Sequence, residues 1–452
     1  MRVPRLRFLH RRGAVPAAVV ALLAVHTALL AWSAYVHSPV MSEVGHLPAG
    51  ISHWQFGRFD LYRVNPPLVR MVAALPVMLT RPALDWKSYG TDPLQRNETS
   101  VGIDFVNANG FRSFWLYAIG RWACIPFSLL GALVCYRWAK DLYGVTSGLA
   151  ALVLWCFCPN ILGNGAMVMP DVPASALGAA ACYTFWRWLK SPTWAWAAGA
   201  GVVLGLAELT KTTLLVFYPL LAVLWIAYRA LGPRDPRQSR LPREAAMIAA
   251  VFAVSIYVLN LGYGFEGSLR PLGEFAFKSR ALTGILAEGK RLPEGNRFAE
   301  SWLARVPVPL PANYVQGIDA QKVDFERGIR SYLRGEWSDH GWWYFYLYAA
   351  AIKVPLGTLL LLAMAVVASF RKSFRIAALR DEMFLLAPAV VLLTVVSSQT
   401  GFSIHFRYVL PIFPFAFIWA SKCFAAAQGD PPSPSGRGRV RANSSPLAAE
   451  VG

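Results

Sequence analysis

The sequence predicts an all-α polytopic integral membrane protein with about ten transmembrane helices, and three observations carry that prediction. The chain has 452 residues, of which 56% are hydrophobic and only 15% charged, and its mean hydropathy is +0.40. A soluble chain of this length would carry about 25% charged residues and divide into two or three domains. So few charges cannot make a polar surface, which excludes a soluble globular enzyme. The second observation is that apolar runs of about 16–28 residues recur along the chain, near the ~20 needed to cross the hydrocarbon core. The third is the aromatic content: 17 Trp, 17 Tyr and 26 Phe are far too many for a disordered chain.

The runs fall at about 13–36, 114–136, 145–163, 172–189, 194–209, 212–230, 245–263, 342–370, 383–400 and 408–424. The basic stretch Arg2 to Arg12 followed by the first run has the start of a signal peptide. The run is about twice the usual length and lacks a clear small-x-small cleavage site before Tyr35, so it reads as a retained anchor. With the N-terminus inside, the short inner segments hold 22 Lys and Arg, while the two outer loops hold 7 and 11 against 6 and 10 acidic residues. Short inner loops are basic and long outer loops are balanced, as the positive-inside rule requires. The formal charge of +19 is therefore a topology signal, and no nucleic-acid partner is needed to explain it. The expected organisation is a basic cytoplasmic N-terminus (1–12), a multi-spanning domain (13–425) with outer loops at about 36–113 and 264–341, and a flexible cytoplasmic tail (426–452). That makes the expected location the cell inner or plasma membrane, with multiple passes and both termini cytoplasmic.

Each outer loop has internal structure. The first contains an apolar piece, Pro66 to Thr80, too short to span and interrupted by Arg70 and Pro76; it is expected to lie flat at the interface. The second ends in an aromatic belt, Trp342-Trp343-Tyr344-Phe345-Tyr346, where a helix enters the headgroups. All six cysteines fall in predicted spans, and Cys156-x-Cys158 is not a metal spacing, so neither a disulfide framework nor a thiolate site is expected. No internal repeat is evident, and inverted repeats would have favoured a transporter.

Ionisable groups near a bilayer are costly, so they mark candidate sites. Topology alone brings Glu43, Asp171, Lys211, His405 and Arg407 to one outer level, where acids and bases could hold an anionic lipid headgroup and do acid–base work. Lys353 lies about eleven residues into the eighth run, or nearer the surface if the aromatic stretch before it is interfacial. Each group has a plainer reading. Glu208 and Lys211 are three apart and could pair along a helix. Arg407 could snorkel from a helix end. Asp171, following Pro170, could N-cap its helix, and His26 reads as a packing histidine. Glu43, His46 and His53 are weak candidates for a divalent-cation site, because Glu-x-x-His puts both side chains on one helical face. Pro48 interrupts that helix, and no third ligand is obvious.

Taken in order, these residues resemble a known family. An acid follows the first span, and Gly50, Trp54 and Gly57 lead to Asn65-Pro66-Pro67-Leu68. Asp171 opens the fourth span, and Gly205-Leu206-Ala207-Glu208-Leu209-Thr210-Lys211 closes the fifth. Further on come Tyr332-Leu333-x-Gly335, Gly341-Trp342-Trp343-Tyr344, Lys353-Val354-Pro355 and Arg407-Tyr408-Val409-Leu410-Pro411. Over roughly residues 14–425 this resembles the polytopic glycosyltransferases of the GT-C fold. The matching branch is that of the protein O-mannosyltransferases and bacterial aminoarabinose transferases (glycosyltransferase family 39-like).

The resemblance implies a polyprenyl-phosphate sugar donor, an acceptor that is a lipid, a glycan or a protein, and transfer at the outer face, usually with inversion. It implies an acidic pair in the first outer loop as the base, and here that pair reads Ser42-Glu43, so the first carboxylate is missing. Glu43 and Asp171 are both candidates for the catalytic role. Lys211, Lys353 and Arg407 stand at basic positions suited to the lipid phosphate, and His46 and Asn65 are further candidate binding residues. A flippase for a lipid-linked sugar, or a non-catalytic member of the same fold, are the alternatives. The topology has a direct test. Cysteines introduced by Arg58→Cys or Glu300→Cys should react with a membrane-impermeant thiol reagent in intact cells, and one introduced by Arg237→Cys should not. The reverse pattern would move the candidate site to the cytoplasm.

Overall fold

The computed structural model describes residues 13–90, 96–232, 241–285, 294–370 and 378–425. The basic N-terminal segment and the tail from 426 lie outside the described residues, as do most of the basic segments at 229–243 and 371–380. The first predicted span is α1 (Ala14–Val36). The first long loop folds into α2 (Met41–Val44), α3 (His46–Phe56), α4 (Leu68–Leu79) and α5 (Glu98–Asn109). There follow α6 (Arg112–Tyr143), α7 (Val145–Cys156), α8 (Pro159–Gly165), α9 (Asp171–Lys190), α10 (Trp194–Glu208), α11 (Phe217–Ala230) and α12 (Leu241–Gly262). The second long loop carries α13 (Arg280–Thr283), α14 (Ala312–Arg327) and a hairpin of β1 (Ser331–Leu333) and β2 (Glu336–Ser338). The chain closes with α15 (Phe345–Lys353), α16 (Leu356–Phe370), α17 (Leu379–Ser398) and α18 (Phe413–Ala420), the last preceded by a 3₁₀ segment, Phe406–Ile412.

All ten predicted runs are helical, and the protein is an all-α polytopic membrane protein. Among the described residues four helical segments are long and apolar enough to cross a bilayer by themselves: α1, α6, Thr212–Ala230 and α12. Two more arise if each bent pair is one span, α7 with α8 (56°) and α15 with α16 (116°). Length and composition thus support four to six spans, and the count of ten does not follow from them. Proline explains both bends. Pro159 and Pro355 cannot donate a backbone N–H and crowd the residue before them out of helical geometry. The second bend bears on the two readings of Lys353. It is the last residue of a nine-residue helix, not a charge deep inside a long span.

Helix α9 is the centre of the bundle. Nearly every one of its side chains is buried, against α6, α10, α11, α17, α18 and the Phe406–Ile412 segment. Its run of Ala, Gly and Ser lets neighbouring backbones approach closely, which is how helices pack where lipid supplies no hydrophobic drive. The same device joins α10 to α12. A Cβ on Gly201 would stand 2.7 Å from the Val251 carbonyl oxygen, and one on Gly205 would stand 2.6 Å from the Val258 Cβ and 2.7 Å from the Ser255 oxygen. Gly199, on the same helix, has nothing within 4 Å. Gly205→Val should therefore destabilise the protein by roughly the 1–3 kcal/mol typical of overpacking, read as a lower unfolding midpoint in detergent, while Gly199→Ala leaves the midpoint unchanged or raised.

Candidate active site

The two acids foreseen as catalytic have opposite surroundings. Glu43, in the short α2, is completely buried, and Arg121 of α6 is 2% exposed. Arg121 Nε donates to Glu43 Oε1 (2.8 Å) and Nη2 to Oε2 (2.6 Å). The Val168 backbone N–H adds a third hydrogen bond to Oε1 (2.8 Å). The rest of the guanidinium donates to the carbonyls of Ala34, in the last turn of α1, and of His37 and Ser38 just after it. An arginine inside an apolar run needs such a partner, since a buried charge is tolerated only when paired and hydrogen-bonded. Arg121 was therefore the available sequence signal that Glu43 is already spoken for. Glu43 does not reach the cavity. Its neighbour Ser42 does.

That cavity, about 990 Å³, opens among α2, α3, the start of α9, the Lys211–Pro219 segment, α14 and the 3₁₀ segment with Arg407. Asp171 stands on its wall at the first position of α9. The N-cap position is occupied by Pro170, so Asp171 is the first residue of the helix and not its cap, contrary to the N-cap reading. It accepts from Lys211 Nζ through Oδ1 (2.7 Å) and lies 3.5 Å from Arg407 Nε through Oδ2. The start of a helix suits a carboxylate, because unsatisfied N–H groups and the helix dipole favour negative charge there. Lys211 reaches Asp171 because α10 ends at Glu208 and the chain turns through an extended Lys211 (φ −154°, ψ 127°). The helical pair of Glu208 with Lys211 does not form; Glu208 accepts instead from the Tyr314 hydroxyl (2.9 Å). Nor does Arg407 snorkel outward, since Nη2 donates to Ser42 Oγ (3.2 Å).

Of the other foreseen residues, His46, Asn65 and His405 line the cavity, and Lys353 does not. The Lys353 carbonyl accepts from Asn160, and its ammonium lies 5.8 Å from the centre of the Phe406 ring. His26 packs as expected, sharing hydrogen bonds with the Cys156 carbonyl and Ser128. The trio considered for a divalent cation does not fit one. Both Glu43 oxygens are taken, His53 Nδ1–H donates to the Arg58 carbonyl, and His53 Nε2 accepts from Arg70 Nε (2.9 Å). Among the described residues no group of three or more His, Cys, Asp or Glu side chains could hold a metal ion.

Several wall residues come from parts of the loops that gave no sequence signal. Arg96 donates through Nε to Glu98 (2.7 Å) and through Nη1 to both oxygens of Asp324 (3.0 and 2.9 Å), tying the first long loop to α14. Gln321 accepts from the Thr212 hydroxyl (2.7 Å). Lysine and arginine outnumber carboxylates on the wall: Lys211, Arg407, Arg96 and Lys322 face Asp171 and Asp324. The two histidines stay neutral near pH 7. Burial, then Arg70 and Arg407, hold His46 well below its ordinary range, and burial, then Arg407, lower His405. One wing of the cavity is apolar, with Leu215 and Val216 in the 3₁₀ turn before α11, Pro219 in the first turn of α11, Ile256 of α12 and Val395 of α17.

Residues 117–261, about a third of the chain, match the family described as dolichyl-phosphate-mannose-protein mannosyltransferase. The matched stretch includes Arg121, Asp171 and Lys211. No curated protein sequence matches the chain. Among solved structures, ArnT from Cupriavidus metallidurans bound to undecaprenyl phosphate superposes with a TM-score of 0.51 at 13% identity, over 89% of this chain and 59% of that one. An Archaeoglobus fulgidus oligosaccharyltransferase tethered with an acceptor peptide gives 0.48 at 12% identity, over 91% of this chain and 49% of that one. The chain thus spans about three fifths of the ArnT chain and half of the oligosaccharyltransferase. At these identities the likeness is one of fold, and the fold is of the GT-C type.

The Glu43–Arg121 pair yields a prediction. Glu43→Gln leaves a buried guanidinium without a counter-charge, which costs about 3–5 kcal/mol. The variant should unfold at a lower temperature in detergent, and adding Arg121→Gln should cost less than the sum of the two single changes. Additive losses would show that the pair is not coupled.

Proposed function

We propose that the protein is a membrane glycosyltransferase that moves a sugar from a polyprenyl-phosphate donor to an acceptor at the outer face, with inversion. The observation that carries this reading is the position of the Asp171–Lys211–Arg407 cluster at the junction of a polar wall and an apolar wing. A lipid-linked sugar needs that combination. The polyprenyl chain is accommodated by Leu215, Pro219, Ile256 and Val395, and the phosphate lies against Lys211 and Arg407. The sugar and the acceptor take the polar side, beside His46, Asn65 and His405. Family likeness and fold are consistent with this chemistry, since the matched family is described by a dolichyl-phosphate-linked donor.

In the proposed reaction the acceptor hydroxyl attacks the anomeric carbon while the bond from that carbon to the phosphate oxygen breaks. Lys211 and Arg407 stabilise the charge that develops on the leaving phosphate, the largest single contribution in reactions of this kind. Asp171 takes the acceptor's proton, because it is the carboxylate within the cluster that faces the cavity. Arrival of the phosphate gives Lys211 and Arg407 a second anion to contact and loosens their hold on Asp171. Glu43 is a positioning residue. Through Arg121 and the Val168 N–H it fixes the segment entering α9, and it leaves Ser42 against Arg407.

Sugar transfer from labelled polyprenyl-phosphate hexose and pentose donors in membranes tests the assignment. Asp171→Asn should lower turnover by about 10²–10⁴-fold, the usual contribution of a positioned base, while undecaprenyl phosphate still binds. Ser42→Asp, which sets a second carboxylate beside Arg407, should raise turnover. Wild-type turnover by Asp171→Asn would remove Asp171 from the role of base. The absence of transfer from every donor by the unaltered protein would instead favour a non-catalytic member of the fold.

A further inference from the structure

Behind one wall of the cavity lies a buried positive charge with no carboxylate at ion-pair distance among the described residues. Arg70 of α4 is 1% exposed. Its Nη2 donates to the Asn65 carbonyl (2.6 Å), its Nε to His53, and its guanidinium carbon lies 5.6 Å from the centre of the Tyr62 ring. Its Nη1 has no hydrogen-bond partner, and among the described residues no carboxylate lies within ion-pair distance of it. His46 stacks on the other partner, Tyr62, with ring centroids 4.1 Å apart, and its Nε2 is likewise buried and unpartnered. His46, Tyr62 and Asn65 all line the cavity, so the two orphan groups sit on and directly behind one patch of wall.

Such an arrangement is costly without a ligand. A buried cation without an ion-pair partner and a buried ring nitrogen with nothing to bond are each destabilising, and an anion held against the wall lowers that cost. Asp171 cannot be that anion, because its oxygens are held by Lys211 and Arg407. The leaving phosphate is assigned to Lys211 and Arg407 as well. We infer that the His46–Tyr62–Asn65 wall, backed by Arg70, is a second anion position, and that it receives a phosphate or carboxylate group carried by the acceptor. The inference rests on the glycosyltransferase reading for the word acceptor, and on the orphan groups alone for the anion. The two positions are neighbours: Ser42 Oγ accepts from Arg407, and the Ser42 carbonyl accepts from the Tyr62 hydroxyl (3.2 Å). An anion held there lies one residue from the reacting phosphate and orients the acceptor beside it.

The test uses the full chain in non-ionic detergent, with thermal unfolding as the readout. A ligand that binds the folded state alone raises the midpoint in a concentration-dependent way. Undecaprenyl phosphate is added first, to saturation, and phenyl phosphate, benzoate or phenol second. The expected result is a further, saturable rise with phenyl phosphate or benzoate and none with phenol. The anion giving the larger rise identifies the acceptor's group as a phosphate or a carboxylate. Arg70→Met and His46→Phe should abolish the second rise and keep the first. Asn65→Asp, which puts a negative charge into the wall without changing its shape, does the same if Arg70→Met fails to fold.

The inference is overturned if neither anion raises the midpoint of the undecaprenyl phosphate complex, or if the rise survives Asn65→Asp. It is also overturned if undecaprenyl diphosphate abolishes the second rise, because the position then belongs to a second phosphate of the donor. Failure of undecaprenyl phosphate itself to raise the midpoint counts against the glycosyltransferase reading. The anion arms, run without it, still decide whether the wall binds an anion.

Discussion

The buried pair of Glu43 with Arg121 is the constraint on which the candidate site depends. Two ions removed from water are each penalised by several kcal/mol, and their attraction offsets this only when geometry and further hydrogen bonds are good. Both conditions are met, by the bidentate contact, by the Val168 N–H on the acid and by three carbonyls on the guanidinium. The same bonds fasten four pieces of chain together: the end of α1, the short α2, the middle of α6 and the turn that enters α9. Asp171 begins α9 three residues after that turn, so its aim into the cavity is fixed by a pair that never touches the cavity. Ser42 is fixed in the same way. In a helical turn two consecutive residues cannot face the same way, so with Glu43 turned inward the residue at 42 faces Arg407.

This explains which parts of the site were legible in the sequence. Hydropathy and charge asymmetry give the depth of a residue, and depth was enough to gather Asp171, Lys211, His405 and Arg407 at one level. Depth does not give direction around a helix axis. Glu43 and Asp171 lie at similar levels, yet one faces a neighbouring helix and the other the cavity, and only the partner Arg121 separates them. Lys353 shows a choice that hydropathy leaves open. The apolar run allows a charge well inside a span or one nearer its end, and the break at Pro355 leaves the lysine at a helix end. Wall residues from the long loops, Arg96, Asp324 and Gln321, carry neither a hydropathy period nor a motif. Their positions depend on tertiary contacts between loops far apart in sequence, which local pattern does not encode.

The cavity's charge balance ties these placements to chemistry. Among Lys211, Arg407, Arg96 and Lys322 against Asp171 and Asp324, cations prevail even before Arg70 is added behind the wall. A surplus of cations in a low-dielectric cleft attracts anions strongly, yet an unoccupied cleft must hold its cations at tolerable cost. Asp171 answers both needs. As an internal counter-ion it accepts from Lys211 and lies within ion-pair reach of Arg407, which keeps both cations ordered and aimed at the position proposed for a phosphate.

That dual use also accounts for a cluster in which Asp171 is the one carboxylate on Lys211 and Arg407, where an acidic pair would be expected. If position 42 carried a carboxylate, Arg407 would have two acids to choose between, and Asp171 would be bound less tightly in the resting state. With Ser42 the arginine has a neutral hydroxyl on one side and Asp171 on the other. The resting site is therefore held more firmly by its own ion pairs, and an incoming anion must compete for Arg407 and Lys211 against Asp171 alone. On the proposed reading the release of Asp171 is then coupled to arrival of the donor phosphate. The group that accepts the proton becomes available when the leaving group is in position, which restrains Asp171 from activating water while the site is empty.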